Sequence, residues 1–367
     1  MVGRPKSPDF AIFFTIIALL GFGIIMVFSS SAVSAYVNYN DSFYFLKRQI
    51  IWAVLGILAM LLTMNIEYHV WQKLAKPVLF GTLILLVLVL VPGLGKVVNG
   101  ARRWIGFGAL YIQPSEIAKL GMALFAANSL ACSQDKIGNF IKGVMPQLLV
   151  LLIVFGLILK EPDLGTALVI GGTVFVLLFA AGAKISHLAS LGAVGIAGVV
   201  AAIIVEPYRL KRLLAFSDPW ADPLNSGYHI IQSLYAIGSG GLFGVGLGRS
   251  REKFLYLPEP HTDFIFAILG EELGFIGTAA VVILFFLFAW RGYRVAISAP
   301  DIYGSMLAAG ITSMIILQAL MNIAVVTASM PVTGIPLPFI SFGGSALIFT
   351  LAGVGILLNI SRYVSLK

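Results

Sequence analysis

Charged residues are scarce in this sequence. Asp, Glu, Lys and Arg together make up 11% of the 367 residues, whereas hydrophobic residues make up 59%. Soluble globular domains carry roughly a quarter of their residues as charges, so this shortage excludes an ordinary water-soluble fold. The charge that is present has a basic excess of +8. With no nucleic-acid motif and no soluble basic domain, the excess favours contact with anionic membrane lipid and predicts no nucleic-acid partner.

The sequence also contains very little cysteine and no P-loop motif. The sequence has one cysteine, Cys132, so no disulfide can form within the chain. Glycines crowd residues 238–248, but this segment lacks the Gly-Lys-Ser/Thr of a P-loop and its strand-to-helix context. The sequence therefore argues against an ATP-driven pump, and we interpret the glycines as a turn at the membrane interface.

Long apolar runs dominate what the sequence does contain. A membrane-spanning helix needs about 20 mostly apolar residues, and some of the candidate segments are short enough to need tilt or flanking anchors. The ten predicted spans are 10–31, 49–65, 77–92, 113–131, 144–159, 164–183, 185–205, 264–290, 302–328 and 344–361. We predict an all-α polytopic membrane protein, one integral domain over residues 1–367 with ten transmembrane helices and one large extracytoplasmic loop at about 205–262.

Basic residues in the short loops predict the orientation, because cytoplasmic loops are enriched in Lys and Arg. With a cytoplasmic N-terminus, the cytoplasmic set is Arg4, Lys6, Lys73, Lys76, Lys136, Lys142, Lys184, Arg291, Arg294, Arg362 and Lys367. The short external loops carry fewer bases, and a loop as long as 205–262 crosses largely regardless of charge. We therefore expect both termini in the cytoplasm, with the first apolar run retained as a helix and not removed as a signal peptide.

One stretch, residues 249–275, concentrates the chemistry. Asp263 stands at its centre, immediately before an apolar run. An acid at the lip of a span is costly to keep near hydrocarbon and normally has a function there. Glu271 and Glu272 lie deeper in the same span, where at least one of them should find a cationic or hydrogen-bonding partner. The proline-rich segment 331–345 cannot be one straight helix, so we expect its irregular backbone to line a polar cleft that Asp263 faces.

Cations gather in two loops assigned to the same side of the membrane. The glycine-rich loop 93–112 carries Arg102 and Arg103 beside Trp104. Adjacent arginines suit phosphate recognition, although anchoring to lipid headgroups explains them equally well. A second basic group, Arg209, Lys211 and Arg212, opens the large loop. Further along that loop, residues 228–237 have the apolar spacing of a helix lying in the membrane interface.

Two short motifs place further charges near the same side. Glu116 and Lys119 are three residues apart in a predicted helix, so they share a face and can pair. The corner between the fifth and sixth spans carries Glu161 and Asp163. Asp163 can cap the helix that follows it, and either acid can also line a cavity. A structural role and a substrate contact stay open for both motifs.

Several motifs, in this order, resemble the SEDS family (shape, elongation, division and sporulation). They are NGARRWI, QPSEIAK, EPDLGT, GYHIIQSLYAIGSGGLFGVGLG, YLPEPHTDFIFAILGEELGF and PVTGIPLPFISFGGS. The resemblance covers essentially the whole chain. The motifs ARRWI and GLGRSREKFLYLPEPHTDF are more similar to the FtsW/SpoVE branch of division and sporulation than to the RodA branch of elongation.

This resemblance implies a ten-span peptidoglycan glycosyltransferase that polymerises lipid II at the outer face of the cytoplasmic membrane. It also implies a class B penicillin-binding protein as partner, together with divisome or sporulation cell-wall proteins and membrane lipids. The family's essential acid falls on Asp263, and its Glu–Lys pair falls on Glu116 and Lys119. The chemistry of lipid II suggests displacement with inversion, in which Asp263 is the general base.

The candidate substrate-binding residues follow from the motifs and the cationic loops together. They are Arg102, Arg103, Glu116, Lys119, Glu161, Asp163, Arg209, Lys211, Arg212 and Ser341. A divalent cation, Mg²⁺ or Mn²⁺, would suit a diphosphate substrate, but no metal-ligand spacing in the sequence requires one.

Two other functions compete with the enzyme. A lipid II flippase or another membrane transporter would place charge along a route through both leaflets, whereas the acids and bases singled out above lie in predicted outer loops or outer half-spans, with Glu271 and Glu272 the deepest. No inverted repeat of the kind found in many carriers is evident. A scaffold that only recruits a synthase gives no reason for Asp263 at the lip of a span.

Overall fold

The structure is a computed structural model that describes residues 6–98, 100–107, 110–254 and 257–364. Arg4, Gly108 and Lys367, on which parts of the orientation and loop predictions depend, lie outside those ranges. In the described ranges, the α-helices are α1 (Phe10–Tyr39), α2 (Tyr44–Asn65), α3 (Tyr68–Leu90), α4 (Pro114–Cys132), α5 (Met145–Lys160), α6 (Leu164–Ala180), α7 (Ile185–Val205), α8 (Pro207–Ser217), α9 (Tyr228–Gly240), α10 (Ile265–Ser298), α11 (Ile302–Val326) and α12 (Gly344–Ser361). The protein is predominantly helical, as predicted.

Ten of these helices occupy the ten segments predicted as spans. Over the described ranges, eight helices are long and apolar enough to cross a membrane, with α5 counted together with the π-helical turn Phe140–Val144 that leads into it. The other two are α6, which is apolar but has only 17 residues, and α4, which carries Glu116 and Lys119 inside an apolar sequence. Several helices run past their predicted ends: α1 continues to Tyr39, and the hydroxyl of Ser30 within it donates to the carbonyl of Met26 in the preceding turn.

The start of α1 and the end of α12 lie at one end of the helix bundle, named the terminal end from here on. The Asp9 backbone amide donates to Ser361 Oγ at 3.0 Å, which joins the start of α1 to the end of α12. Arg291, near the end of α10, donates to Asp9 Oδ2 at 2.6 Å. The start of α10 therefore lies at the opposite end, named the Asp263 end.

The loop 93–112 at the Asp263 end forms a small antiparallel sheet. Its strands are β1 (Gly95–Val98), β2 (Ala101–Phe107) and β3 (Leu110–Ile112), in the order β1-β2-β3. Lys96 lies opposite Trp104, and Val97 lies opposite Arg102. The sequence predicts only a glycine-rich loop here, because the strands are short and glycines interrupt their alternation. The sheet fixes β2 over the corner between α5 and α6.

Helix α9 packs along α10 with part of the apolar face that was predicted to lie in the membrane interface. Ile230 and Ile231 are buried, whereas Leu234 and Tyr235 remain exposed. The side chain of Ser233 donates to the carbonyl of Val326 at 2.7 Å, which also ties α9 to the end of α11. The large loop is therefore held against the ends of the bundle helices.

Helix α10 is broken at Gly274, where the backbone adopts φ +65 and ψ −163. The turn after α9 fills the break. The amides of Val245 and Gly246 donate to the carbonyls of Glu271 and Glu272 at 2.9 and 3.0 Å. In return, the amide of Phe275 donates to the carbonyl of Gly241 at 2.8 Å. Backbone groups freed by the break thus find partners, as they must at membrane depth.

Substituting Gly274 with alanine should strongly destabilise the protein. A β-carbon there would lie 2.3 Å from the Gly244 backbone nitrogen, in a backbone conformation that L residues avoid. We expect a loss of about 2–4 kcal/mol in the free energy of unfolding, measured as a lower thermal midpoint in detergent. The matched control is Gly81→Ala in α3, where a β-carbon meets no atom within 4 Å. Equal midpoints for the two variants would contradict the close packing at the break.

Candidate active site

Asp263 lies two residues before α10 begins, and other segments hold its backbone in place. Asn322 of α11 donates through Nδ2 to the carbonyl oxygen of Asp263 at 2.8 Å. The same amide group donates to the carbonyl of Ile335 at 2.8 Å. Asn322 thus joins the start of α10 to the proline-rich segment, which runs irregularly between α11 and α12 as predicted.

Ser341 holds the residue before Asp263. Its hydroxyl donates to the carbonyl of Thr262 at 2.6 Å and accepts the amide of Leu337 at 2.8 Å. One residue further back, the carbonyl of His261 accepts the amide of Phe342 at 2.9 Å. Ser341 was predicted to bind substrate; in the structure it is buried and bonded to backbone on both sides. It acts on Asp263 through the main chain.

The side chain of Asp263 is half-buried, and its environment disfavours the charged form. Burial, together with the nearby Glu259, raises the pKa of Asp263 to about 6, against the partly opposing effect of Arg212 and Arg103. Gly334 lies against the carboxylate with φ +74, and a β-carbon at Gly334 would be 3.4 Å from Asp263 Oδ2. Within the described part of the chain, no hydrogen bond to the carboxylate oxygens is found.

A buried ion pair lies next to this segment, as the sequence predicted. Lys119 Nζ is 2.7 Å from Glu116 Oε2, with both side chains almost fully buried. Lys119 also donates to Gln318 Oε1 of α11. Gln318 in turn donates to the carbonyl of Pro336 at 2.8 Å. The pair is therefore connected to the proline-rich segment through the side chain of Gln318.

The corner between α5 and α6 brings two more acids to the Asp263 end. Asp163 caps α6 by accepting the amide of Thr166 at 3.0 Å, and it also accepts Gln113 Nε2 at 3.1 Å. Glu161 is fully buried, and neither carboxylate oxygen has a hydrogen-bond partner among the described residues. Burial, followed by the charge of Asp163, raises the pKa of Glu161 to about 9, so this carboxyl is neutral at physiological pH.

Arg102 and Arg103 have different surroundings. The register between β1 and β2 shifts at this point, with Trp104 opposite Lys96 and Arg102 opposite Val97, so Arg103 is an extra residue of a bulge. Only Arg103 is bonded to the corner: its Nε donates to the carbonyl of Glu161 at 2.9 Å, and its second terminal nitrogen donates to the carbonyl of Pro162. Capture of one anion by both arginines stays a prediction.

The basic group of α8 divides into three different environments. Arg209 is buried, with its guanidinium bonded to the carbonyl of Ala202 at 2.9 Å and to the hydroxyl of Tyr208 at 2.9 Å. Lys211 is exposed on the surface of α8. Arg212 is exposed and donates to the carbonyl of Val332 at 3.1 Å. Arg212 is thus the α8 cation that reaches the proline-rich segment beside Asp263.

Sequence reasoning missed Gln318 and Asn322. They are polar residues four apart in the otherwise apolar α11, so they share one face of that helix. An isolated amide in a span should face the bundle interior and bond there. That spacing was the signal that could have placed α11 beside the site.

No three His, Cys, Asp or Glu side chains gather into a metal-binding group in the ranges that the structure describes. A divalent cation at the Asp263 end would therefore depend on oxygens from a substrate as well as from the protein. The protein's own contribution to the site is one half-buried carboxylate, a neutral buried acid and two guanidinium groups held over the same end of the bundle.

Comparison with known proteins assigns the chain to a family. The sequence family described as "Cell cycle protein", which covers FtsW, RodA and SpoVE, matches residues 10–366. The chain belongs to the FtsW/RodA/SpoVE family. It is 52% identical over 363 residues to stage V sporulation protein E of Bacillus subtilis, covering 99% of each chain. It is 46% identical to the probable peptidoglycan glycosyltransferase FtsW of Trichlorobacter lovleyi, covering 99% of this chain and 95% of that protein.

Solved structures support the same assignment for this FtsW/RodA/SpoVE protein. The structure of a peptidoglycan synthase complex, described as coordinating polymerization and crosslinking, matches with a TM-score of 0.79 at 32% identity, covering 97% of this chain and 98% of the other. The rod shape determining protein RodA of Thermus thermophilus matches with a TM-score of 0.72 at 31% identity, covering 98% and 99%. The fold is therefore that of a multi-pass membrane protein of this family.

Proposed function

We propose that this protein is a peptidoglycan glycosyltransferase that polymerises lipid II. The observation that carries the proposal is the half-buried Asp263 carboxylate, free of hydrogen bonds within the described ranges, beside Arg103 and Arg212. A base next to cations is what transfer of a sugar from a diphosphate carrier requires. The relatives named as probable peptidoglycan glycosyltransferases support the same chemistry.

Asp263 would serve as the general base. The 4-hydroxyl of the acceptor sugar attacks the anomeric carbon of the donor, and its proton passes to the carboxylate. The bond from that carbon to the diphosphate oxygen breaks, and polyprenyl diphosphate leaves. Because the donor linkage is α and the product linkage is β, one displacement with inversion and one base suffice. A pKa of about 6 suits a base that must be ionised near neutral pH.

Arg212 and Arg103 are the cations best placed to stabilise the departing diphosphate. Both contribute to the electrostatic environment of Asp263, and a guanidinium can bind phosphate oxygens through two donors. The buried pair of Glu116 and Lys119 would act on the reaction indirectly, by holding the proline-rich segment through Gln318. Arg209 is buried and all three of its guanidinium nitrogens are bonded within the protein, so it would hold α8 in place and not contact substrate.

The Asp263 end would face outwards from the cytoplasmic membrane, with both termini in the cytoplasm. The short loops of the terminal end carry more Lys and Arg than the short loops of the Asp263 end, which supports this orientation. A class B penicillin-binding protein would crosslink the glycan that this protein makes, in cell division or sporulation. The likeness to a chain of a peptidoglycan synthase complex supports such a partner.

The test is polymerisation of labelled lipid II by the protein purified with its class B partner. Moenomycin is included to silence contaminating class A synthases, and products are resolved on gels. We expect glycan ladders. A complex with an active partner that makes no polymer, but moves lipid II between leaflets of liposomes, would overturn the proposal in favour of a transporter.

A further inference from the structure

Lys253 makes a buried ion pair that the proposed chemistry does not use. Its Nζ lies 2.9 Å from Glu272 Oε1, and the two side chains are 5% and 0% exposed. Ser29 of α1 donates to both oxygens of Glu272 at 2.6 and 2.7 Å, and Lys253 Nζ also donates to Ser29 Oγ at 3.4 Å. A cation from the large loop, an acid from α10 and a hydroxyl from α1 thus meet at one point.

Backbone contacts from the same segment accompany the ion pair. The amide of Arg251 donates to Glu271 Oε1 at 2.7 Å, and the hydroxyl of Ser250 donates to the other oxygen of Glu271. The amide of Ser250 donates to Glu272 Oε1 at 3.3 Å. Both acids of α10 are therefore committed to residues 250–253, which explains why two adjacent acids can be buried in a span.

These contacts close a loop in the chain. Residues 250–253 are bonded to Glu271 and Glu272, and Asp263 lies about midway between the two bonded segments. Beyond the closure, Leu257 is buried and its amide donates to the carbonyl of Glu252 at 2.9 Å. On the other side of Asp263, the first turns of α10 connect it to Glu271 and Glu272. The ion pair therefore forms the base of the loop that carries Asp263.

We propose that Lys253 is a positioning residue: its ion pair with Glu272 closes the base of the Asp263 loop and fixes where that carboxylate lies. Lys253 does not contact substrate. A buried ion pair adds little net stability over an apolar pair of similar volume. It does fix which two side chains are bonded, and so it fixes how the loop residues are aligned against α10. This inference rests on the proposed function, because part of its readout is polymerisation.

The test uses Lys253→Met, Glu272→Gln and the double variant in the full protein with its partner. Each single variant leaves a buried charge unpaired and should lower the thermal midpoint. The double variant removes both charges, so its midpoint should return close to that of the wild type. Its kcat should nevertheless stay about tenfold to a hundredfold below wild type, because small misplacements of a reacting group carry such costs, while KM changes little. Lys184→Met, an exposed lysine at the terminal end, is the control for loss of a lysine.

Hydrogen–deuterium exchange supplies a readout that does not depend on activity. We expect backbone amides of residues 257–264 to exchange faster in the double variant than in wild type. A double variant with wild-type midpoint, wild-type kcat and wild-type exchange would overturn the positioning role. If the wild type made no polymer, the proposed function would fail, and the exchange rates alone would decide whether the pair holds the loop.

Discussion

Replacing Asp263 with asparagine is expected to lower the turnover of lipid II by about 10²–10⁴-fold, the range that one general base supplies. A carboxamide has the same shape but cannot take the proton from the acceptor hydroxyl. Because the side chain is half-buried and makes no hydrogen bond within the described ranges, the fold should survive the change. The measurement is the initial rate of glycan formation at matched yields of folded complex.

Asp222→Asn is the matched control for this substitution. Asp222 belongs to the same large loop, where it accepts Asn225 Nδ2 at 2.9 Å and the amide of Ser226 at 3.1 Å in a local turn. Its removal should leave the rate unchanged. Equal losses of rate from the two variants would mean that replacing either acid of the large loop slows the reaction. That result would contradict a specific catalytic role for Asp263.

Lys119→Met is expected to destabilise the protein by about 3–5 kcal/mol, because it leaves the Glu116 carboxylate buried without its cation. It also removes the bond to Gln318 that supports the proline-rich segment. The thermal midpoint in detergent should fall, and polymerisation should fall with it at temperatures where the variant is still folded.

An exposed ion pair provides the comparison for Lys119. Lys47 Nζ lies 2.8 Å from Asp41 Oδ2, with the lysine side chain 66% exposed. Water and salt screen such a pair, so Lys47→Met should not shift the midpoint measurably. Similar shifts for Lys119→Met and Lys47→Met would contradict the assignment of the Glu116–Lys119 pair as a buried support.

Features that depend on local pattern could be predicted from the sequence. The ten apolar segments, the position of Asp263 at the start of a helix and the pairing of Glu116 with Lys119 all follow from composition and spacing along one element. Proline at the start of α4 and the cap formed by Asp163 are local in the same sense. The cationic partner expected for at least one of Glu271 and Glu272 was also found: Lys253 pairs with Glu272.

Features that depend on distant parts of the chain could not be predicted. The break in α10 at Gly274 depends on groups outside the helix, because the amides of Val245 and Gly246 and the carbonyl of Gly241 bond the backbone on its two sides. The sheet of residues 95–112 depends on pairings between short strands that glycines interrupt. Arg209 looked available to a ligand in the sequence, but carbonyls from two other helices bind it.

The central claim is that Asp263 acts as a base, and the pH dependence of the reaction tests it most directly. A substitution shows that a residue is needed, whereas kcat/KM as a function of pH reports the ionisation of the base in the free enzyme. The active form is the carboxylate, and burial raises its pKa to about 6. We predict that kcat/KM is level above about pH 7 and falls by about tenfold per pH unit below pH 6. A rate that stays level from about pH 8 down to pH 4.5 would contradict the account.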